Sequence, residues 1–157
     1  MAKELTIGQK APDFDLPSSE GASQSLKALK GRTVVLYFYP KDDTPGCTVE
    51  ACEFGTNHGS LKRAGAVVLG VSPDGLESHA KFIAKFGLPF ALLADEGHHT
   101  AEDYGVWVLK SMYGKEYMGV QRSTFLIDAS GTIRRIWPKV KPEGHAAEVL
   151  AALKELE

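Results

Sequence analysis

Two hydrophobic patterns alternate along this chain. Val34 to Tyr39 is apolar at every position, as expected of a strand covered on both faces at the centre of a sheet. Ala66 to Val71 repeats that pattern, and Phe90 to Ala94 is a shorter version. Between the last two, Leu76, Ala80, Ile83 and Phe86 fall at helical spacing, with Gly87 placed to close the helix. Thr44 offers an N-cap and Pro45 a first helical residue, so a helix is predicted to run from there into the sixties. A helical turn near Thr100 to Tyr104 follows. Ser123 to Asp128 and Thr132 to Trp137 then read as a hairpin about Ala129-Ser130-Gly131. Ala146, Val149, Leu150, Leu153 and Leu156 make the stripe of a closing amphipathic helix. Asp13 to Ser25, with Pro17 and Gly21, reads as a small N-terminal hairpin.

The core order is therefore β-α-β-α, an interrupted middle, then β-β-α. Alternation of strand and helix implies parallel pairing with crossovers. That order is the one an α/β, thioredoxin-like sheet requires, with helices on both faces and additions at the N-terminus and in the middle. The chain's 157 residues suit one domain spanning 1–157. Sites in such open sheets lie outside the carboxyl ends of strands, where Pro40 to Cys47 falls.

Composition narrows the classes of function. With 43% hydrophobic and 24% charged residues the chain is ordinary globular material that needs no disulfide framework. A net charge of −2 with scattered basic residues argues against nucleic acid as a partner. The longest apolar run is far below the ~18 residues of a membrane span, and Met1 to Leu16 is too polar for a signal peptide. A cytoplasmic location follows as the expectation, where a close pair of thiols suggests redox or metal chemistry rather than structure.

Both cysteines lie in Tyr39-Pro40-Lys41-Asp42-Asp43-Thr44-Pro45-Gly46-Cys47-Thr48-Val49-Glu50-Ala51-Cys52. With Thr44 as N-cap, Cys47 is the third helical residue, among backbone N–H groups that lack helical partners and carry the positive end of the helix dipole. A cysteine there is favoured as thiolate, the reactive form. Thr-x-x-Cys also has capping-box spacing, which predicts the Thr44 hydroxyl within hydrogen-bonding reach of the Cys47 sulfur. Thiolate formation alone is a weak catalyst, because nucleophilicity falls as a thiol becomes more acidic. Other groups must orient the electrophile and stabilise its leaving atom.

Cys52, five residues on, sits ~140° around an intact helix with Cα atoms ~9 Å apart. Disulfides need less than ~7 Å, so a bridge requires the first turns to unwind. Cys52 can equally be read as an ordinary core-facing helix residue. The histidines, His58, His79, His98, His99 and His145, show no metal-ligand spacing, and His58 is ~16 Å along the axis from Cys47, too far for its general base. No cofactor or metal is expected.

Pro40-x-x-x-Thr44-x-x-Cys47 matches the active-site motif of peroxiredoxins. "DDTPGCTVEAC" resembles the bacterioferritin comigratory protein, or peroxiredoxin Q, subfamily, as do "GQKAPDF", "GVSPD", "LPFALLAD", "YGV" and "RSTFLID" in order along the chain. The resemblance implies that Cys47 attacks a peroxide oxygen and becomes a sulfenic acid. It implies that Thr44 hydrogen-bonds peroxide and sulfur, that Pro40 shields the pocket, that Arg122 is the active-site arginine and that Glu50 positions it. Read without the resemblance, Arg122 is a solvated charge at a strand end. The resemblance makes Cys52 the resolving cysteine of an intramolecular disulfide with Cys47, reduced by thioredoxin or a similar dithiol, and it suggests a monomer. Trp107 and the Met112 to Met118 segment either wall the pocket or form an exposed loop. The expected activity is reduction of hydrogen peroxide and organic hydroperoxides in antioxidant defence. Its alternatives are a general disulfide oxidoreductase and a redox-controlled holdase.

Overall fold

The computed structural model describes residues 4–156, so residues 1–3 and 157 of the expected 1–157 domain lie outside the described residues. In chain order the elements are β1 (Asp15–Leu16), β2 (Gln24–Ser25), a 3-10 turn (Lys27–Leu29), β3 (Thr33–Phe38), α1 (Pro45–Arg63), β4 (Ala66–Ser72) and α2 (Leu76–Phe86). There follow β5 (Ala91–Ala94), α3 (His99–Asp103), β6 (Trp107–Met112), β7 (Lys115–Val120), β8 (Ser123–Ile127), β9 (Ile133–Trp137) and α4 (His145–Glu155). Five strands form the main sheet in the order β5-β4-β3-β8-β9. β3, β4 and β5 are parallel, while β8 runs antiparallel to β3 and to β9.

The uninterrupted apolar run of β3 is explained by its central place between β4 and β8. Val35, Tyr37 and Tyr39 point into a core shared with Cys47, Ala51, Phe54 and Leu61 of α1, Phe82 of α2, and Ala146, Val149 and Leu153 of α4. Val34, Leu36 and Phe38 point the other way, towards Phe14, Leu16, Ala101, Tyr104, Val106 and Val120. Three helices thus cover one face. Short α3 and the N-terminal segment cover the other, which is the thioredoxin-like arrangement with a peroxiredoxin-type N-terminal addition. Gly87 closes α2 in the left-handed conformation, φ 63° and ψ 43°, which glycine adopts without steric cost.

One element was not legible in the sequence. The interrupted middle holds the β6–β7 hairpin, joined by Tyr113 and Gly114 with φ of 52° and 77°. Two central residues at positive φ make the tight primed turn that suits the twist of paired strands. Residues 111–118 are all exposed, so the hairpin lacks the buried alternate face that makes a strand visible in a sequence.

Candidate active site

The carboxyl end of β3 delivers the chain to residues 40–44, and α1 begins at Pro45. Cys47 is the third helical residue and is 2% exposed. Arg122, two residues past the end of β7, lays its guanidinium across this helix start. Its Nη2 donates to Cys47 Sγ at 3.4 Å, and its Nη1 donates to Glu50 Oε1 at 2.7 Å. Gly46 makes that approach possible, since a Cβ there would lie 3.1 Å from Arg122 Nη2. The Arg122 carbonyl accepts the Val140 N–H at 2.9 Å, which ties the strand end to the loop before α4. Cys47, Glu50 and Arg122, which the sequence reading singled out from places 72 or more residues apart, are therefore in direct contact.

Glu50 is 1% exposed, and its second oxygen, Oε2, has no hydrogen-bond partner among the described residues. Burial pushes its carboxyl up from 4.5 to about 7, against the opposing pull of Arg122. Burial opposes the charge on Arg122 as well, but Glu50 and Cys47 more than compensate and hold the guanidinium above its ordinary value. The triad is a sulfur and a carboxylate sharing one fixed cation.

Thr44 occupies the N-cap position, yet its side chain does not cap the helix. Its hydroxyl donates to the Lys41 carbonyl at 2.8 Å, and among the described residues the sulfur's hydrogen bond comes from Arg122 instead. This corrects the capping-box expectation. The physical reason is the tight 41–44 turn, in which Asp43 takes φ 56° and presents the Lys41 carbonyl to the threonine. Pro40 is half-buried immediately after Tyr39.

The loop is pinned by a network that the sequence did not reveal. Asp42, 7% exposed, accepts hydrogen bonds from Tyr39 Oη at 2.6 Å and Ser78 Oγ at 2.7 Å, and lies 2.7 Å from His79 Nδ1. His79 Nε2 lies 2.9 Å from the Leu93 carbonyl. Both partners of this wholly buried ring are acceptors, so both nitrogens donate and the ring is a cation paired with Asp42. Burial raises the Asp42 carboxyl, but the hydrogen bonds from His79, Tyr39 and Ser78 outweigh it and hold the group below the usual carboxylate range. The Asp42 N–H in turn donates to Asp74 Oδ2 at 2.7 Å, and Ser72 Oγ donates to the same oxygen at 2.8 Å, which gives "GVSPD" a structural task. A signal was present, a histidine in the apolar stripe of α2, but nothing in its spacing marked its partner.

Cys52 is half-buried in the same continuous helix, and both cysteines are free thiols. Thr56 Oγ1 and Asn57 Nδ2 donate to the carbonyls of Cys52 and Glu53, side-chain bonds that compete with the helix ladder. The hairpin is a pocket wall rather than a distant loop: Arg122 and Cys47 are electrostatic neighbours of the half-buried Lys110 on β6.

A buried thiol at a helix N-terminus, touched by an arginine that a buried carboxylate anchors, is the site of a thiol-based redox enzyme on a thioredoxin-like sheet. The AhpC/TSA family pattern matches residues 7–136, and the chain belongs to this family of peroxiredoxins, thiol-dependent peroxidases. It is 54% identical over 149 residues to the putative peroxiredoxin bcp of Coxiella burnetii, covering 95% of this chain and 99% of that one. To Peroxiredoxin Bcp of Bacillus subtilis it is 53% identical over 152 residues, covering 97% of each. A crystal structure of a Xylella fastidiosa PrxQ mutant superposes with a TM-score of 0.93 at 36% identity, covering 99% of each chain. The bacterioferritin comigratory protein of Xanthomonas campestris superposes with a TM-score of 0.87 at 43% identity over 91% of each. Within the family the likeness is thus to the Bcp, or peroxiredoxin Q, branch.

Proposed function

We propose that Cys47 is the peroxide-attacking thiol and Cys52 its resolving partner. The observation that carries this reading is the Arg122 guanidinium 3.4 Å from Cys47 Sγ, fixed by Glu50. The guanidinium and the helix N-terminus stabilise negative charge on the sulfur and on the oxygen that departs. The thiolate attacks the terminal peroxide oxygen; the S–O bond forms, the O–O bond breaks, and the second oxygen leaves as an alkoxide or hydroxide that takes up a proton. Cys47 is left as the sulfenic acid.

Thr44 acts through its lone pairs. With its proton given to Lys41, the hydroxyl oxygen is an acceptor for the hydrogen of an incoming hydroperoxide. Pro40 adds a side without an N–H donor, which keeps competing water contacts away. The first two turns of α1 then unwind, the Cys52 thiol attacks the sulfenic sulfur, water departs and the disulfide forms. A dithiol protein such as thioredoxin restores both thiols by exchange. Because resolver and attacker share one helix, a monomer in a reducing compartment such as the cytoplasm suffices.

Hydrogen peroxide and organic hydroperoxides are the substrates. The Xanthomonas campestris relative, whose structures address its alkyl peroxide reduction activity, supports the organic class. The test compares two variants. Cys47→Ser is expected to lose peroxide consumption, whereas Cys52→Ser consumes one equivalent and fails to turn over with thioredoxin and its reductase. Full turnover by Cys52→Ser refutes the assigned resolution, and peroxide consumption by Cys47→Ser refutes the assigned attack.

A further inference from the structure

The face of the β6–β7 hairpin turned towards the site carries a cation with no partner. In the paired strands Lys110 sits opposite Tyr117, and Val108 sits opposite Gly119. A Cβ at Gly119 would lie 3.3 Å from Lys110 Cδ and 3.4 Å from Tyr117 Cε2, so the lysine stem and the tyrosine ring converge over the bare glycine. That places the ammonium end along β7, whose chain continues through Val120 and Gln121 to Arg122. Lys110 is half-buried, and among the described residues no carboxylate pairs with it.

A lysine normally keeps its ammonium in water or beside an acid, because burying an unpaired charge is unfavourable. Here the stem is packed against Gly119, and the charge sits near a second cation, Arg122. Desolvation, then Arg122, bring the Lys110 ammonium below its ordinary value, while Cys47 opposes them. An anion would relieve that arrangement. Cys47 supplies one negative group, but it is already matched by Arg122. Beyond Lys110 on the same face are Met112 and Tyr117, 55% and 42% exposed, able to receive the apolar part of a ligand.

We propose that Lys110 is a specificity-determining residue that selects hydroperoxides bearing an anionic group, a carboxylate, on their organic portion. The O–O end enters between Cys47 and Arg122, the carbon chain lies along the hairpin, and the carboxylate meets the Lys110 ammonium. This rests on the peroxidase reading of Cys47.

The test uses the reduced full-length protein and follows Cys47 oxidation by a hydroperoxydecanoate and by its methyl ester, which differ in charge alone, with hydrogen peroxide alongside. The wild-type protein is expected to favour the acid by about tenfold, as a partly desolvated charge pair allows. In Lys110→Met the acid-to-ester ratio is expected to fall to about one, in Lys110→Arg to return, and in the wild type to shrink as salt is raised. Equal losses on acid and ester in Lys110→Met overturn the proposal, because the lysine would then serve the sulfur rather than the substrate. Oxidation by hydrogen peroxide with a wild-type acid-to-ester ratio near one overturns charge selection alone. Absence of Cys47 oxidation by any of the three overturns the peroxidase reading and the selection with it.

Discussion

Glu50→Gln is expected to make the folded protein more stable and the enzyme slower. The side chain is 1% exposed, with one oxygen on Arg122 and the other unpartnered. Its carboxyl loses its proton at about 7 in the fold and at 4.5 in its ordinary setting. Between those values the folded chain holds a proton that the unfolded chain has released, so stability falls as pH rises. The penalty works out to about 1 kcal/mol at pH 5 and about 3 kcal/mol at pH 8. Glutamine copies the neutral acid at every pH: one oxygen still accepts from Arg122, and the amide takes the place of the unpartnered oxygen.

Urea denaturation of both proteins from pH 5 to pH 8 checks this. The wild-type curve alone is ambiguous, because burial also holds His145 and His58 below their ordinary values, and neutral histidines make stability rise with pH. The difference between variant and wild type isolates Glu50, and is expected to grow from about 1 to about 3 kcal/mol in favour of glutamine. Cys47 oxidation should slow by about tenfold, the loss of charge assistance to the hydrogen bond that aims Arg122. A difference that stays flat with pH, or a variant less stable at pH 8, refutes the reasoning.

Other substitutions probe the surroundings of the site. His79→Ala leaves Asp42 buried and unpaired, and is expected to cost about 3–5 kcal/mol in urea denaturation at pH 7, whereas Asp42→Asn with His79→Gln loses less. Because Asp42 titrates below the usual range, its contribution is present above about pH 4 and disappears as the pH falls through its folded value, so wild type and Asp42→Asn should converge in acid. Gly70→Ala puts a Cβ 2.7 Å from Leu92 Cδ2 and 2.8 Å from Tyr37 Cζ, an overpacking expected to lower stability by about 1–3 kcal/mol in the same assay. Thr48→Ala raises helix propensity between the two cysteines by about 0.6 kcal/mol, and should slow disulfide formation about threefold in stopped-flow measurements that leave the first oxidation step in place.

Legibility in the sequence followed the range of the interactions. β3, β4, β8 and α4 were readable because each buries a continuous face, and the sulfur's helical position was readable because Thr44 and Pro45 lie beside it. The contact of Arg122 with Glu50 and Cys47 spans the chain; only the peroxiredoxin resemblance pointed to it. Thr44 shows the limit of local rules. Its spacing to Cys47 was that of a capping box, but the left-handed Asp43 turned the hydroxyl to Lys41. His79 and Asp42, 37 residues apart, are joined by the packing of α2 against the loop, which no periodicity encodes.

The same buried charge bears on how the two thiols meet. α1 is anchored before its start by Asp42 on His79, and from Glu53 onwards by the Gly144 N–H donating to Glu53 Oε1 at 2.8 Å and by wholly buried Phe54 and Leu61. The stretch between the anchors contains Cys47, Glu50 and Cys52, so unwinding that joins the cysteines also lifts Glu50 off Arg122 into water. At pH 8 that rehydration offsets up to about 3 kcal/mol of the cost of unwinding. The site that attacks peroxide therefore holds part of the free energy that dismantles it. In Glu50→Gln the offset is gone, and disulfide formation after Cys47 oxidation is expected to slow at pH 8 by up to about a hundredfold, with a much smaller effect at pH 5. Trapping the sulfenic acid over time in both proteins measures this. Equal rates of sulfenic acid loss at pH 8 would show that Glu50 stays buried through resolution, and that the helix opens on the other side of it.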